Sequence, residues 1–307
     1  MKVLIIGATG FIGLPIAQAF VRAGHIVYGQ TRSAAKAKQL AAEEIIPIVA
    51  EVANTAAYLP IGATLDAIID AVGGSDIKDT SDLLLRATVA AVHAHRPALA
   101  PKLTYIWTSG TWIHGDNRTE VVSDSTAPDT ERAPALTSWR AAQEQRVIAS
   151  TDVNGLVIRP SLLYGRSGSL FARFFERAAR EGVVAWPGTP GGRLATIHTD
   201  DLAELYVLAT EKAAVSKGQI FDGTNDVTES TDLFLQRLVE VSGAKAPYQY
   251  FEPTNLFDRA LTTTTIIRPY LGHALLGWRP RKAGLIDHLE IYYKAWQATQ
   301  EDHVSQL

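Results

Sequence analysis

The chain has no cysteine among its 307 residues, which excludes disulfide bonds, thiol catalysis and thiolate-bound metal. It also lacks an excess of either charge, with 29 Lys and Arg against 32 Asp and Glu, so nothing indicates a nucleic-acid or membrane-surface partner. Long apolar runs are missing too. The apolar run at residues 1–6 is too short for a signal peptide or a membrane span. We therefore expect a cytoplasmic protein of one large or two modest domains.

What the sequence does have is a glycine-rich turn directly after its first apolar run. Gly7 allows a tight turn, Gly10 lets backbone amides approach a pyrophosphate, and Gly13 brings a helix close to the preceding strand. The pyrophosphate would then lie at the helix N-terminus, where unpaired N–H groups attract an anion. The plain alternative is an ordinary glycine-rich turn.

The flanking residues favour the nucleotide-binding interpretation. Residues 3–6 form a β-branched and aliphatic strand, and Ile16 and Phe20 recur at helical spacing before Gly24 ends the helix. Residues 25–28 then read as a second strand, which completes a βαβ unit of about thirty residues. The sequence therefore predicts a dinucleotide-binding protein.

The end of the second strand predicts which nucleotide is bound. An NAD site places a carboxylate there to bind the ribose hydroxyls, but residues 29–33 contain none and Glu43 is too far on. Arg32 stands near the expected position, with Lys36 and Lys38 on the next helix, and a guanidinium can bind a 2′-phosphate. NADP(H) is therefore favoured over NAD(H), although these basic residues could also form a solvated face.

Helix and strand signals alternate through the first 160 residues, which favours a parallel sheet covered on both faces. Two later strands, at residues 195–198 and 219–222, are expected to return to that sheet. Residues 285–296 carry apolar side chains at helical spacing and predict a packing helix. The other expected strands are 45–49, 67–72, 103–108 and 156–159, and the other expected helices are 33–43, 79–96 and 135–149.

Several landmarks in order along the chain resemble the extended short-chain dehydrogenase/reductase superfamily, in its epimerase/dehydratase group. They are residues 7–13, 108–115, 159–165, 197–203 and 276–280. The resemblance implies an α/β fold, a Rossmann doubly wound parallel sheet with a smaller discontinuous C-terminal substrate domain. The Rossmann domain would span residues 1–160 with 194–226 returning to it, and the substrate-binding part would comprise 161–193 and 227–307.

The resemblance also implies which residues contact the cofactor. Two of them have structural alternatives, because Arg159 could pair with a buried acid and Arg140 could form a surface ion pair with Glu144, four residues on. The implied cofactor-binding residues are Gly7, Thr9, Gly10, Phe11, Ile12, Gly13, Arg32, Glu51, Val52, Ala71, Val72, Gly73, Thr108, Arg140 and Arg159.

The chain departs from this superfamily at the catalytic positions. The family uses a Tyr with a Lys four residues later, but Leu136 and Arg140 stand at those positions here. The usual Ser or Thr of the preceding strand end aligns with Gly110. Another group must then protonate a substrate oxygen, and the candidates are Ser109, Thr111, His114 and Tyr164, each of which could instead be structural.

The leading hypothesis is an atypical NADP(H)-dependent oxidoreductase or isomerase that acts on a small carbonyl or hydroxyl compound. Trp112, Trp139 and Trp186 would suit a hydrophobic substrate, although tryptophans commonly belong to the core. The alternatives are an NADP(H)-sensing or scaffold protein without catalysis, and isomerisation or elimination without net redox. No metal is expected, since His93 and His95 face different sides of a helix. The family's frequent dimers make a homodimer a reasonable expectation.

Overall fold

The structure is a computed structural model that describes residues 1–166 and 169–304, with side chains described through residue 300. Its strands are β1 (Lys2–Ile6), β2 (Ile26–Thr31), β3 (Ile46–Val49), β4 (Ala67–Asp70), β5 (Thr104–Thr108), β6 (Asn117–Ser123), β7 (Asn154–Pro160), β8 (Leu162–Tyr164), β9 (Ala185–Pro187), β10 (Arg193–Leu194), β11 (Thr196–His198), β12 (Ile220–Gly223), β13 (Glu229–Ser230), β14 (Gln249–Phe251) and β15 (Thr265–Arg268).

The helices alternate with these strands through the first half of the chain. They are α1 (Gly13–Arg22), α2 (Ala34–Ala42), α3 (Ile77–His95), α4 (Arg140–Ile148), α5 (Ala172–Glu181), α6 (Thr199–Glu211), α7 (Ala213–Ser216), α8 (Thr231–Ser242), α9 (Leu256–Leu261) and α10 (Leu289–Val304).

Seven parallel strands form the central sheet, in the order β12-β7-β5-β4-β1-β2-β3. The chain moves outward in one direction from β1 to β3 and in the other from β4 to β12, so the order reverses between β1 and β4. Ligands of doubly wound sheets bind at the carboxyl ends of the strands beside such a reversal. The α/β doubly wound fold expected from the sequence is confirmed.

Both faces of the central sheet are buried, as its β-branched and aliphatic strands require. On one face α1 and α6 pack against it, with Phe20 and Leu205 fully buried in the same cluster. On the other face α3 and α4 contribute Leu84 and Val147, which pack with Trp107 of β5. The sheet is therefore rigid at the edge where its carboxyl ends meet.

A third apolar cluster lies in the later part of the chain. Phe171, Trp186 and Phe234 pack together there with Leu289 and Trp296 of α10, which confirms the expected packing helix. Trp186 is 3% exposed in this cluster, so it is a core residue, which is the stated alternative to a contact with a hydrophobic substrate. The residue boundaries that separate this part from the Rossmann domain stay a prediction.

Two sequence expectations differ from the structure. The strand expected at 195–198 does not return to the main sheet: β11 pairs with β8 in a separate two-stranded sheet, because β12 already occupies the edge of β7. The helix expected over 135–149 begins only at Arg140, because tight turns close onto the carbonyl of Pro134 before it. The strand at 219–222 does join the sheet, as β12.

Within the described ranges, no helix combines the length and the apolar character that crossing a membrane requires. In the same part of the chain, no three His, Asp or Glu side chains lie close enough together to bind a metal ion. His93 instead contacts Asp152, with 2.7 Å between Nε2 and Oδ1.

We predict that Gly155→Ala destabilises the fold without touching the cleft. A Cβ at Gly155 in β7 would lie 1.9 Å from the carbonyl oxygen of Val147 in α4, so helix and strand would have to separate. Overpacking of this kind costs about 1–3 kcal/mol of unfolding free energy. Urea denaturation measures the loss, and Gly62→Ala, where a Cβ meets nothing within 4 Å, is the control. Equal stability of the two variants would contradict the prediction.

Candidate active site

The turn between β1 and α1 has the shape that binding of an anion requires. Gly7 has a φ of +81°, a conformation that L side chains rarely adopt, and a Cβ at Gly13 would lie 2.1 Å from the Gly7 carbonyl oxygen. The described residues supply no acceptor for the amides of Phe11 and Ile12, which precede the first turn of α1. These amides can therefore bind a phosphate oxygen.

Gln30, which belongs to no recognisable motif of the sequence, supports this turn from β2. Its Oε1 accepts a hydrogen bond of 3.0 Å from the Gly7 amide, and its Nε2 donates to the carbonyl oxygen of Ala50, 2.5 Å away. The side chain is buried and so holds β1, β2 and the chain after β3 in one arrangement. Its position in an apolar strand was the only signal in the sequence.

A cleft of about 780 Å³ starts at this turn and crosses the carboxyl ends of the central strands. Its floor is formed by backbone after β1, β4, β5 and β7. Five apolar side chains form a wall farther from the turn: Trp112, Leu136, Trp139, Leu170 and Phe257. Most of the predicted cofactor positions are brought together here, since residues 10–12, 71–75, 108–112 and 160–163 all line this cleft.

Arg140 places a fixed positive charge in the cleft. Its guanidinium carbon lies 5.3 Å from the ring centroid of Trp139 and 5.9 Å from that of Trp107. Nη1 makes a long contact of 3.5 Å to the Thr108 carbonyl oxygen, while the buried Nε has no partner among the described residues. Burial lowers the pKa of Arg140 to about 10, opposed by Glu144 and Asp70, so the group stays charged at neutral pH.

Behind the cleft floor lies a buried group of ionisable side chains that connects three elements. Glu144 of α4 accepts hydrogen bonds from Arg159 of β7, 2.8 Å from Nε and 2.5 Å from Nη2. Glu144 also accepts the hydroxyl of Ser109 at 2.6 Å. On the far side of Arg159, Nε2 of His114 lies 2.9 Å from Asp222 and 3.3 Å from Nη1 of Arg159. Each side chain of this group has at least one polar partner, as burial demands, but Nδ1 of His114 and Oδ1 of Asp222 make no hydrogen bond within the described residues.

A further carboxyl, Asp124, adjoins this group. Its Oδ2 accepts a hydrogen bond of 3.4 Å from the Asp222 amide, and burial together with the negative charge of Asp222 raises the pKa of Asp124 to about 6. The positive charge of Arg159 therefore stands among three buried acids, Glu144, Asp222 and Asp124.

The geometry bears on two expectations about arginine. Arg159 is 1% exposed and is not among the residues that line the cleft, because Glu144 and Asp222 hold its guanidinium, so its contact with a cofactor stays a prediction. The alternative pairing with a buried acid is what forms. The surface ion pair between Arg140 and Glu144 does not form, since Glu144 is fully buried and bonds to Arg159 and Ser109 instead.

Two of the four candidate proton donors lie outside the cleft. Tyr164 donates its hydroxyl to the Ala283 carbonyl oxygen at 2.8 Å and accepts Nδ2 of Asn225 at 3.1 Å, and burial raises its pKa well above the usual value. His114 lies behind Arg159, bonded to Asp222. Neither side chain is among the residues that line the cleft, and proton donation to a substrate by Tyr164 or His114 stays a prediction.

Ser109 and Thr111 do line the cleft, but their hydroxyls differ. The Ser109 proton is directed to Glu144, which leaves oxygen lone pairs for the cleft. The Thr111 hydroxyl has no hydrogen-bond partner in the described part of the chain, and the residue is 5% exposed. Thr108 is structural on its polar side, because its Oγ1 bonds to the Asp70 carbonyl oxygen at 2.6 Å and to Tyr206 at 2.7 Å.

Asp70, at the end of β4, is a second functional residue outside the motifs of the sequence. Its carboxylate accepts hydrogen bonds of 3.1 Å from both the Val72 amide and the Tyr105 hydroxyl. This arrangement orders the backbone from Ala71 to Gly73 that lines the cleft. Burial raises the pKa of Asp70 to about 7 in spite of these hydrogen bonds. An acid that follows two isoleucines in a buried strand was the available signal.

The residues expected near the adenosine end lie around β2 and β3. Arg32 follows β2 directly and is exposed, and Thr9 contacts Thr31 there, with 3.2 Å between the two hydroxyl oxygens. Glu51 is exposed after β3, while the Val52 carbonyl oxygen accepts the hydroxyl of Tyr58. Contacts of Arg32, Glu51 and Val52 with a cofactor stay a prediction.

Comparisons with known proteins agree with this geometry. The model of the "NAD dependent epimerase/dehydratase family" matches residues 3–222. The chain is 27% identical over 305 residues to a 3-diazoavenalumate denitrifying reductase of a Streptomyces species, covering 91% of this chain and 96% of that protein.

Two solved structures share the fold over nearly the whole chain. A dTDP-glucose 4,6-dehydratase from Bacillus anthracis in complex with NAD superposes with a TM-score of 0.79 at 14% identity, covering 98% of each chain. A UDP-glucose 4-epimerase from Thermotoga maritima superposes with a TM-score of 0.78 at 17% identity, covering 98% of this chain and 100% of that one. At these identities the likeness concerns the fold alone.

We predict that Arg159→Met costs about 3–5 kcal/mol of unfolding free energy, because it leaves Glu144 and Asp222 as buried charges without compensation. The double variant Glu144→Met with Arg159→Met should lose less than Arg159→Met alone, since it removes the stranded carboxylate as well. Urea denaturation of wild type, both single variants and the double variant measures the coupling. Strictly additive losses would contradict the pairing.

Asp70 predicts a pH dependence of stability with a definite sign. Its pKa is about 7 in the folded protein and 3.8 ordinarily, so the stabilisation is complete below pH ~4 and is lost as the pH rises through 7. Asp70→Asn cannot ionise, so its stability relative to wild type should rise between pH 5 and pH 8. Thermal denaturation across this range measures the difference. The exposed Asp76→Asn is the control, and parallel pH curves for wild type and Asp70→Asn would refute the prediction.

Proposed function

The chain belongs to the NAD-dependent epimerase/dehydratase family, and from that premise we propose that it is an NADP(H)-dependent reductase of a small, apolar carbonyl compound. The observation that supports the proposal is that one continuous cleft connects the turn after β1 with an apolar wall. The cleft begins at the anion-binding turn after β1 and ends at a wall of Leu136, Trp139 and Phe257. A dinucleotide and an apolar substrate can therefore lie side by side in it.

The residues present fit a pyridine dinucleotide. A Cβ at Gly13 has no room, the amides of Phe11 and Ile12 are free for a pyrophosphate, and small residues from Ala71 to Gly74 leave space for a bulky ligand. The unpaired, buried Nε of Arg140 also marks a polar site that a ligand would complete. When bound, the reduced nicotinamide supplies a hydride.

Selectivity for NADP(H) is proposed for Arg32. Its exposed guanidinium follows β2 at the carboxyl edge of the sheet, beside Thr31 and near the amino terminus of α2, where Ser33 is the N-cap. A 2′-phosphate at that place would accept charge-assisted hydrogen bonds from Arg32. No carboxylate follows β2 to bind a bare ribose in its stead.

The cleft residues then have separate roles. Arg140 holds a positive charge beside the site without giving up its proton, and the Thr111 hydroxyl can donate a hydrogen bond to the substrate oxygen. Ser109, with its own proton directed to Glu144, can accept a hydrogen bond from the cofactor or substrate. The apolar wall lowers the polarity around the reacting atoms, while Leu136 and Leu170, each 39% exposed, leave this end of the cleft open to water.

Turnover is the decisive test of this proposal. The protein is mixed with NADPH and a panel of aldehydes, ketones and quinones, and absorbance of the reduced nicotinamide is followed, with cofactor binding measured separately by calorimetry. Oxidation with any member of the panel supports a reductase. Tight NADPH binding without turnover would favour a cofactor-sensing protein.

We predict that Arg32→Glu weakens NADPH binding at least tenfold, because a charge-assisted hydrogen bond to phosphate is worth about 1.5–3 kcal/mol. NADH binding should stay the same or improve, since a carboxylate would then face the ribose hydroxyls. Isothermal calorimetry with both nucleotides measures the two affinities. Arg22→Glu, an equal change of charge at the end of α1, is the control. An equal loss of affinity for both nucleotides would contradict the assignment.

A further inference from the structure

The polar side chains that line the cleft are suited to stabilising an oxyanion. Thr111 and Thr137 both line the cleft and are each 5% exposed, but Thr137 donates its hydroxyl to the Pro134 carbonyl oxygen at 3.3 Å. The hydroxyl of Ser109 is donated to Glu144. Thr111 is therefore the buried hydroxyl of the described lining that remains available as a donor, whereas the uncommitted hydroxyl of Ser75 belongs to an exposed residue. Arg140 contributes a positive charge to the same lining. Preorganised donors and a fixed charge in an apolar site stabilise developing negative charge strongly.

Leu136 determines whether the cleft provides a general acid in addition to this stabilisation of negative charge. Its side chain lines the cleft one turn before Arg140 and is 39% exposed. An apolar group here can shield the reacting atoms but cannot transfer a proton. A positioned general acid contributes about 10²–10⁴-fold to a rate, so the substrate matters. Hydride addition to a saturated ketone gives an alkoxide, whose localised charge requires immediate protonation. Hydride addition to a conjugated ketone gives a delocalised enolate, which is stable enough to be protonated later by water.

Resting on the proposed function, we propose that the substrate is a flat conjugated carbonyl compound of the aryl enone type, whose enolate oxygen is bound by the Thr111 hydroxyl beside Arg140. A hydride adds to the β-carbon and forms a C–H bond, and the π pair of the C=C bond shifts until the negative charge rests on oxygen. The reductant, NADPH, becomes NADP⁺. The α-carbon then takes a proton from water, which leaves hydroxide.

The wall of the cleft fits a planar aromatic group. Trp112 and Phe257 lie edge to face with ring centroids 6.1 Å apart, and both line the cleft together with Trp139. Leu136 and Leu170 complete this apolar end. Aromatic faces and edges favour a flat conjugated ring over a branched aliphatic chain of the same size.

A matched pair of substrates tests the proposal. Benzalacetone and benzylacetone differ only in one C=C bond, so size and hydrophobicity are nearly constant. We expect NADPH to reduce benzalacetone about 10²-fold faster, the lower range of what a missing general acid costs. Equal or faster reduction of benzylacetone would overturn the enone assignment while it supports the reductase. A lack of NADPH binding in calorimetry would instead remove the proposed function itself.

The role of Thr111 has its own variants. Thr111→Val should lower kcat for benzalacetone at least tenfold with little change in the KM for NADPH, and Thr111→Ser should retain most of the rate. Thr137→Val removes the neighbouring, engaged hydroxyl and should leave the rate within about threefold. A rate of Thr111→Val within about threefold of the wild-type rate, or an equal loss in Thr137→Val, would overturn the proposal.

A readout without turnover uses para-nitrophenol, whose phenolate is coloured and resembles a delocalised oxyanion. Bound to wild-type protein, its pKa should fall by about one unit, a tenfold preference for the phenolate. The shift should persist in Thr137→Val and disappear in Thr111→Val, with circular dichroism confirming that both variants are folded. An unshifted pKa on the wild-type protein would overturn the role of Thr111 as an oxyanion donor.

Discussion

The buried pairing of Glu144 with Arg159 determines how the cleft is arranged. It joins α4 to β7 through two hydrogen bonds, and through Ser109 it reaches the chain that follows β5. Since α4 also carries Arg140, the same pairing holds that cation against Trp107 and Trp139. The orientation of the polar groups in the cleft is therefore set by buried charges that lie behind its floor and do not line the cleft.

A second constraint is the close approach of backbone at the first turn. Gly13 contacts the Gly7 carbonyl so closely that no side chain fits, while Gln30 holds the turn from β2. Together these contacts aim helix amides at one end of the cleft. The end of the cleft proposed for the cofactor is thus built from backbone, and the end proposed for the substrate from Leu136, Trp112 and Phe257, so the two ends can vary independently.

Much of the cofactor end could be predicted from the sequence. Glycine spacing after an apolar strand has few structural solutions, and the strands that follow are long enough to show their character. Which catalytic candidates line the cleft is harder to predict from the sequence, since all four are polar residues near strand ends: Ser109, Thr111, His114 and Tyr164. Sequence distance does not tell which of them faces the cleft. In the structure Tyr164 bonds to Ala283, more than a hundred residues away, and His114 bonds to Asp222.

By itself the sequence determined the alternating α/β pattern and the glycine-rich turn, because these depend on neighbours along the chain. That Leu136 and Arg140 stand in place of a proton-transferring pair is what the resemblance implies. Only the tertiary structure decided that Arg159 pairs with Glu144, that the Ser109 hydroxyl donates to Glu144 and that the Thr111 hydroxyl has no partner among the described residues. These outcomes depend on which charges are buried together. Such partners come from separate strands and helices, whose distances in space are set by packing rather than by spacing in the sequence.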